Sequence, residues 1–168
     1  MEDIENLRKD LLKNKNIIGM EDLGAGTGNQ AIRYTQRRIA EIAKRALKPP
    51  YLAAMLGRIA QFSKARLIIE LGTSLGITTS YLSKFCPEAQ IFTLEGSPEI
   101  AKIAMDNFLK LGLENINIGV GNFDDTLNPL LKEYKQYPRL IYIDGNHLYY
   151  PTLRYFQAFL ENSSEEDV

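Results

Sequence analysis

From Arg66 onward the chain repeats one unit, a short apolar run followed by a stretch of helical periodicity. The apolar runs are RLIIEL, QIFTLE, NINIGV and RLIYID, each set off by glycine, proline or polar residues. Runs this short and this rich in Ile and Leu read as buried strands. Between them lie ITTSYLSKFC, SPEIAKIAMDNFLKLG and a stretch over about Asp124–Tyr134 that carries Pro129, with YPTLRYFQAFLEN after the last. These read as helices. Strands joined through helices pair in parallel, by crossovers that cover both faces of the sheet. The expected fold class is therefore α/β, a Rossmann-like parallel sheet with helices on both faces. Ligands of such sheets sit beyond the carboxyl ends of the strands, so the residues after each strand carry the functional information.

Local signals support the reading. In SPEIAKIAMDNFLKLG, Ser97 can cap a helix, Pro98 suits its first position and Glu99 favours the positive end of its dipole. Ile100, Ala104, Phe108 and Leu111 then face the core, and Gly112 can end the helix in a left-handed conformation. Before Arg66 the chain reads as helical. A weak helix covers about Ile4–Lys13. A second, over about Gln30–Lys48, has Ile39, Ile42, Ala43, Ala46 and Leu47 on one face and Arg37, Glu41, Lys44 and Arg45 on the other. The KPP that follows stops it. A third covers about Tyr51–Phe62. Residues 1–64 are thus expected to form a helical N-terminal extension and residues 65–168 the sheet-bearing domain.

Composition narrows the function. With 20 basic and 21 acidic residues the net charge is −1, so no global field recruits nucleic acid or an anionic membrane. No stretch approaches the roughly 18 apolar residues of a membrane span. The single cysteine, Cys86, excludes an intramolecular disulfide and a cysteine-rich zinc site. The N-terminal MEDIENLRKDLLKNKN is charged throughout and lacks an apolar signal core, so a cytoplasmic protein is expected.

Two glycine stretches compete for a nucleotide. EDLGAGTGNQ (Glu21–Gln30) has the better spelling but the wrong context: the NIIGM before it is short and polar-flanked, and Leu47, 19 residues past Gly28, ends a helix. ELGTSLG has the right context. Gly72 and Gly76 follow a buried strand and precede a helix, and the next strand ends at Glu95, 19 residues past Gly76. An acid placed there can accept hydrogen bonds from both ribose hydroxyls. Glycine lets the backbone approach a ligand closely. A dinucleotide loop wants a glycine where Ser74 stands, however, and Glu70 at the strand end suits a cationic ligand better than a diphosphate.

With this pattern the chain resembles the class I S-adenosylmethionine-dependent methyltransferases, over Leu67–Leu160. Their first motif is a strand-end acid followed by G-x-x-x-G. The resemblance implies the strand order 3-2-1-4 and assigns Glu70, Gly72, Thr73, Ser74, Gly76 and Glu95 to the cofactor. It extends to VGNFDD, where Gly121, Asn122 and Phe123 fall on the segment that holds the adenine. The family usually has an acid at Asn122; here an amide oxygen can accept the same bond without the charge. The same residues are also consistent with a plain helix cap.

The stretch I-D-G-x-H-x-x-Y resembles the O-methyltransferase branch. In it Asp144 ends the fourth strand and His147, the only histidine, follows three residues later. The resemblance makes Asp144 a divalent-metal ligand, usually for magnesium, or an orienter of the methionine end. It makes His147 the general base and Tyr150 a pocket wall or acceptor-positioning group. A hydroxyl is a poor nucleophile until it loses its proton, and a base or a metal supplies the remedy. Histidine ordinarily titrates near neutral pH, which suits a base.

The resemblance further implies that the last strands of a seven-stranded sheet lie beyond ENSSEEDV, so the chain is expected to be C-terminally truncated. Strand four would then be an exposed edge that a homodimer or larger assembly covers, and one carboxylate would hold magnesium weakly. The Gly24–Gly28 stretch is expected to be a surface loop or a lid, with Arg33, Tyr34, Arg37 and Arg38 facing an anionic acceptor or solvent. The expected function is O-methylation of a small-molecule or sugar hydroxyl. The rival readings are an NAD-type oxidoreductase and a cofactor-binding or assembly module without turnover.

Overall fold

The computed structural model describes residues 1–22, 33–134, 137–165 and 167–168. Along the chain its elements are α1 (Glu2–Lys13), β1 (Ile17–Asp22), β2 (Arg33–Arg38), α2 (Ile39–Ala46), α3 (Pro50–Ser63), β3 (Leu67–Leu71), α4 (Ile77–Phe85), β4 (Gln90–Glu95), α5 (Pro98–Lys110), β5 (Ile116–Val120), α6 (Phe123–Glu133), β6 (Arg139–Ile143) and α7 (Tyr149–Glu161). The four apolar runs form one parallel sheet in the order β5-β4-β3-β6, the Rossmann-like order expected from the sequence. Leu71 stands between Leu94 of β4 and Ile143 of β6, so three strands end together and their following loops open at one edge.

Alternation along each strand divides the core between the two sheet faces. Leu67, Ile69 and Leu71 pack with Leu127 and Leu131 of α6 and with Tyr155 and Phe159 of α7. Ile68, Ile91 and Leu140 pack on the other face with Ala60 of α3 and Leu82 of α4. Every residue of β3 is buried, as the central strand of such a sheet must be. Each of its four apolar side chains contributes roughly 1.5–3 kcal/mol through removal from water. The α5 signals act as expected: the Ser97 hydroxyl accepts from the Ile100 amide, and Gly112 sits at φ +62°.

The N-terminal extension is not wholly helical as expected, because it carries a separate two-stranded sheet, β1 with β2. Helix α2 begins only at Ile39, and Arg33–Arg38 is a strand paired antiparallel with Ile17–Asp22, from Ile17↔Arg38 to Asp22↔Arg33. RYTQRR has no apolar alternation, and its pairing with β1 holds it as a strand. The residues before β2 that the helical reading included, and the whole Gly24–Gly28 stretch, lie outside the described residues. The extension shares a core with the sheet-bearing part: Ile4, Leu11, Ile39, Ile42 and Ala43 form one apolar cluster with Leu75, Ile77 and Tyr81.

β6 is the outer strand on one side of the sheet. The Val168 amide donates to the Arg139 carbonyl at 2.8 Å and the Val168 carbonyl accepts from the Ile141 amide at 2.9 Å. Arg139 is fully buried, with its guanidinium on the Asp167 carboxylate and the Asn162 carbonyl. Among the described residues no helix is long and apolar enough to cross a membrane.

Candidate active site

A cavity of about 280 Å³ opens where β3, β4 and β6 end together. Its floor is the turn after β3. Gly72 at φ +103°, Ser74 at +48° and Gly76 at +78° alternate with ordinary residues, which curls the backbone into a tight turn. The Gly72 and Thr73 amides are spent on the Leu94 carbonyl, at 2.9 and 3.1 Å, which ties the turn to β4.

Glu95 closes the second side. One carboxylate oxygen accepts from the Ser74 amide at 2.8 Å and the other from the Ser97 amide at 3.0 Å. Burial raises its pKa, while the amides of Ser97, Ser74 and Gly96 act in the opposite direction. These two bonds set the side chain in place, with lone pairs left on both oxygens.

Asn122 caps α6, its side-chain oxygen accepting from the Asp124 amide at 3.0 Å. The capping reading of GNFDD therefore holds, and one lone pair of that oxygen remains for a ligand. The Phe123 ring is buried, edge-on to Tyr155 with centroids 5.8 Å apart, and it packs against Gly145.

On the third side stand Asp144, Gly145, Asn146 and His147. Asn146 takes φ +50°, and its side-chain amide donates to the Tyr155 hydroxyl at 3.0 Å. His147 is exposed at the rim and makes no hydrogen bond to a described residue. Tyr142 lies one strand position short of the site. Burial first, and then the neighbouring Asp144, push its phenol well above the usual range, so it stays protonated.

Of the residues singled out from sequence, Gly72, Ser74, Glu95, Gly121, Asn122, Phe123, Asp144 and His147 line this cavity. Glu70, Thr73, Gly76 and Tyr150 do not. Glu70 is fully buried beneath the turn, where one carboxylate oxygen accepts from the hydroxyls of Thr79 and Thr93 and the other has no partner. Desolvation pushes its carboxyl up to about 7, against the pull of those hydroxyls. The Thr73 hydroxyl meets that of Thr93 at 2.7 Å, extending the same buried network. Gly76 makes room for the Phe108 ring, which a Cβ would approach to 2.5 Å. Tyr150 is 74% exposed and stacks edge-on against Tyr149, so it forms no wall of the cavity; Tyr155, five residues further along α7, does. The difference follows from the packing of α7 on the sheet, which turns Tyr150 outward.

Sequence reasoning missed Lys48, Arg45, Met20, Asn146 and Tyr155, all of which line the cavity. Asn146 could have been found as the x of D-G-x-H. Tyr155 lies on the helix that follows this motif, whereas Met20, Arg45 and Lys48 come from elements far away in sequence and carry no local signal. Lys48 matters most, because its ammonium lies 2.7 Å from an Asp144 carboxylate oxygen. Among the described residues no three His, Cys, Asp or Glu side chains are grouped to hold a metal ion. A magnesium ion wants several oxygen ligands in octahedral array. One carboxylate already paired with an ammonium does not fit it.

A family model described as "Methyltransferase domain" matches residues 69–166. A catechol O-methyltransferase from Niastella koreensis is 29% identical over 150 residues, which are 88% of this chain and 64% of that protein. A protein-L-isoaspartate O-methyltransferase from a Picosynechococcus species is 27% identical over 93 residues, 55% of this chain and 41% of that protein. Among solved structures, an O-methyltransferase from Bacillus cereus in complex with S-adenosylhomocysteine aligns with TM-score 0.65 at 27% identity, covering 71% of this chain and 55% of the other. The chain thus spans about two fifths to two thirds of the length of these relatives.

Proposed function

The chain belongs to the methyltransferase-domain family, and from that premise we propose that it is an S-adenosylmethionine-dependent O-methyltransferase acting on a small-molecule hydroxyl. The observation that carries the reading is the bond from the Ser74 amide to Glu95. It joins the ends of two neighbouring strands at one cavity and leaves an oriented carboxylate facing it.

The residues present fit this cofactor. Glu95 can accept from two ribose hydroxyls. The Asn122 side-chain oxygen and the Phe123 amide, at the start of α6, can serve the adenine. The Gly72–Ser74 turn offers backbone to the amino-acid end, where a side chain would block the approach. When bound, S-adenosylmethionine supplies a methyl group on a positively charged sulfur.

On the acceptor side His147 stands at the rim, where it can take the proton of an entering hydroxyl. Removal of that proton in the transition state is worth about 10²–10⁴-fold in rate. The likeness to a catechol O-methyltransferase over 88% of the chain supports a hydroxyl as the methyl acceptor.

Calorimetry with S-adenosylhomocysteine and, separately, NAD tests the cofactor. Binding of the first and not the second is expected; the reverse removes the proposal. A radiolabelled methyl-transfer survey of hydroxyl acceptors, catechol among them, tests the chemistry. His147→Ala should lower turnover by about 10²-fold or more with S-adenosylhomocysteine affinity unchanged. Turnover equal to wild type would remove His147 from the mechanism.

A further inference from the structure

Lys48 reaches Asp144 across 96 positions of sequence, and its main chain is held from several sides. Leu47 closes α2, and Pro49 follows, which confines Lys48 to extended backbone. Arg8 of α1 donates to the Lys48 carbonyl at 2.6 Å. Arg8 is itself held on the Glu5 carboxylate at 3.0 Å, and that carboxylate also accepts from the Tyr81 hydroxyl of α4 at 2.7 Å. Three helices thus fix the stem from which the ammonium enters the cavity.

The Lys48 and Asp144 side chains are 31% and 16% exposed. The pair is partly withdrawn from water, so its attraction exceeds that of a surface pair. The other charged or titratable groups lining the cavity are Arg45, Glu95, His147 and Tyr155. Glu95 is committed to the Ser74 and Ser97 amides, and Arg45 is exposed, which leaves Lys48 as the cation bound to the strand-end acid.

We propose that Lys48 is the resident cation of the acceptor side. Its ammonium, held on Asp144, takes the place that a divalent ion would fill and faces the acceptor oxygen, so that transfer proceeds without metal. This rests on the methyltransferase reading above. The acceptor hydroxyl gives its proton to His147. Its oxygen forms the new bond to the methyl carbon as the carbon–sulfur bond breaks, and that electron pair stays on sulfur. Lys48 keeps its three protons throughout and stabilises the negative charge that develops on the acceptor oxygen. Asp144 is then the holder of this cation rather than a metal ligand.

S-adenosylhomocysteine calorimetry on the wild type comes first, and absence of binding removes the methyltransferase reading itself. With that ligand bound, Mn²⁺ is titrated and followed by electron paramagnetic resonance. No stoichiometric bound manganese is expected at millimolar concentration. A one-to-one site that Asp144→Asn abolishes overturns the inference and leaves the methyltransferase reading standing. Lys48→Met frees the carboxylate to attract the sulfonium, so the ratio of S-adenosylmethionine to S-adenosylhomocysteine affinity should rise about tenfold, with Lys48→Arg close to wild type. An unchanged ratio in Lys48→Met also overturns the inference, because it would show that the ammonium on Asp144 does not bear on charge at the reacting sulfur. The manganese titration needs no variant and decides the question even where Lys48→Met fails to fold.

Discussion

Gly72 and Asp144 meet backbone to backbone: a Cβ on Gly72 would stand 2.7 Å from the Asp144 carbonyl oxygen. The Asp144 amide meanwhile donates to the Leu71 carbonyl at 2.8 Å. The turn after β3 and the turn after β6 are therefore one packed unit, and the glycine motif and the acid of the D-G-x-H motif move together or not at all.

Gly72→Ala should consequently damage both halves of the site. It meets backbone, which cannot swing aside, and it forces an L-residue to φ +103°. Strain and overpacking of this kind cost about 1–3 kcal/mol each. A fall in the denaturation midpoint together with loss of S-adenosylhomocysteine binding is expected. Wild-type affinity in this variant would show that the two turns are not coupled.

Glu95→Gln tests the oriented carboxylate. Glutamate presents acceptors to both the Ser74 and Ser97 amides, whereas an amide side chain must set its NH₂ against one of those N–H groups. Hydrogen bonds to charged groups are worth about 1.5–3 kcal/mol. Calorimetry should record a roughly 10- to 100-fold loss of S-adenosylhomocysteine affinity. An affinity within about twofold of wild type would take Glu95 out of the site.

Glu70 predicts a pH dependence of stability. Burial raises its pKa from 4.5 to about 7, so the folded state holds the proton more tightly than the unfolded state. The stability this confers is complete below about 4.5 and is lost as pH rises through about 7. Glu70→Gln keeps the neutral form at every pH. Denaturant titrations between about pH 5 and pH 8 should show the variant gaining on wild type as pH rises. The gain is a few kcal/mol at most, since each pH unit separating the folded and unfolded values is worth about 1.4 kcal/mol. Parallel pH profiles for the two proteins would contradict the assignment.

Asp167→Ala should destabilise the sheet edge. Arg139 is fully buried, and Asp167 is its only carboxylate partner among the described residues. Burial alone would raise the Asp167 pKa, but the Arg139 side chain and the amides of Ser164 and Arg139 outweigh it and hold the group below the ordinary range. Removing one member of a buried pair costs about 3–5 kcal/mol. Chemical denaturation should register a loss of that order, and a loss under about 1 kcal/mol would place the pair in solvent.

The parallel order β5-β4-β3-β6 was legible because each strand is a short apolar run and each helix carries its own start and stop residues. Ser97 and Gly112, for instance, mark α5 at both ends. Glu95 was legible for the same local reason, since it ends a strand at a set distance from Gly76. The β1–β2 hairpin was not, because RYTQRR is polar at nearly every position and its pairing with β1 leaves no apolar period in the sequence. Tyr150 and Tyr155 lie five residues apart, about 140° around the helix, and only the packing of α7 on the sheet decides which of those faces meets the cavity.

Local patterning by itself determined the fold class and the strand ends at which a ligand would sit, because burial period and turn chemistry act between near neighbours. Which charge answers Asp144 was decided by tertiary structure alone. Lys48 arrives there through the packing of α1 and α2 on α4, and a contact between residues so far apart along the chain leaves no trace in the spacing of either.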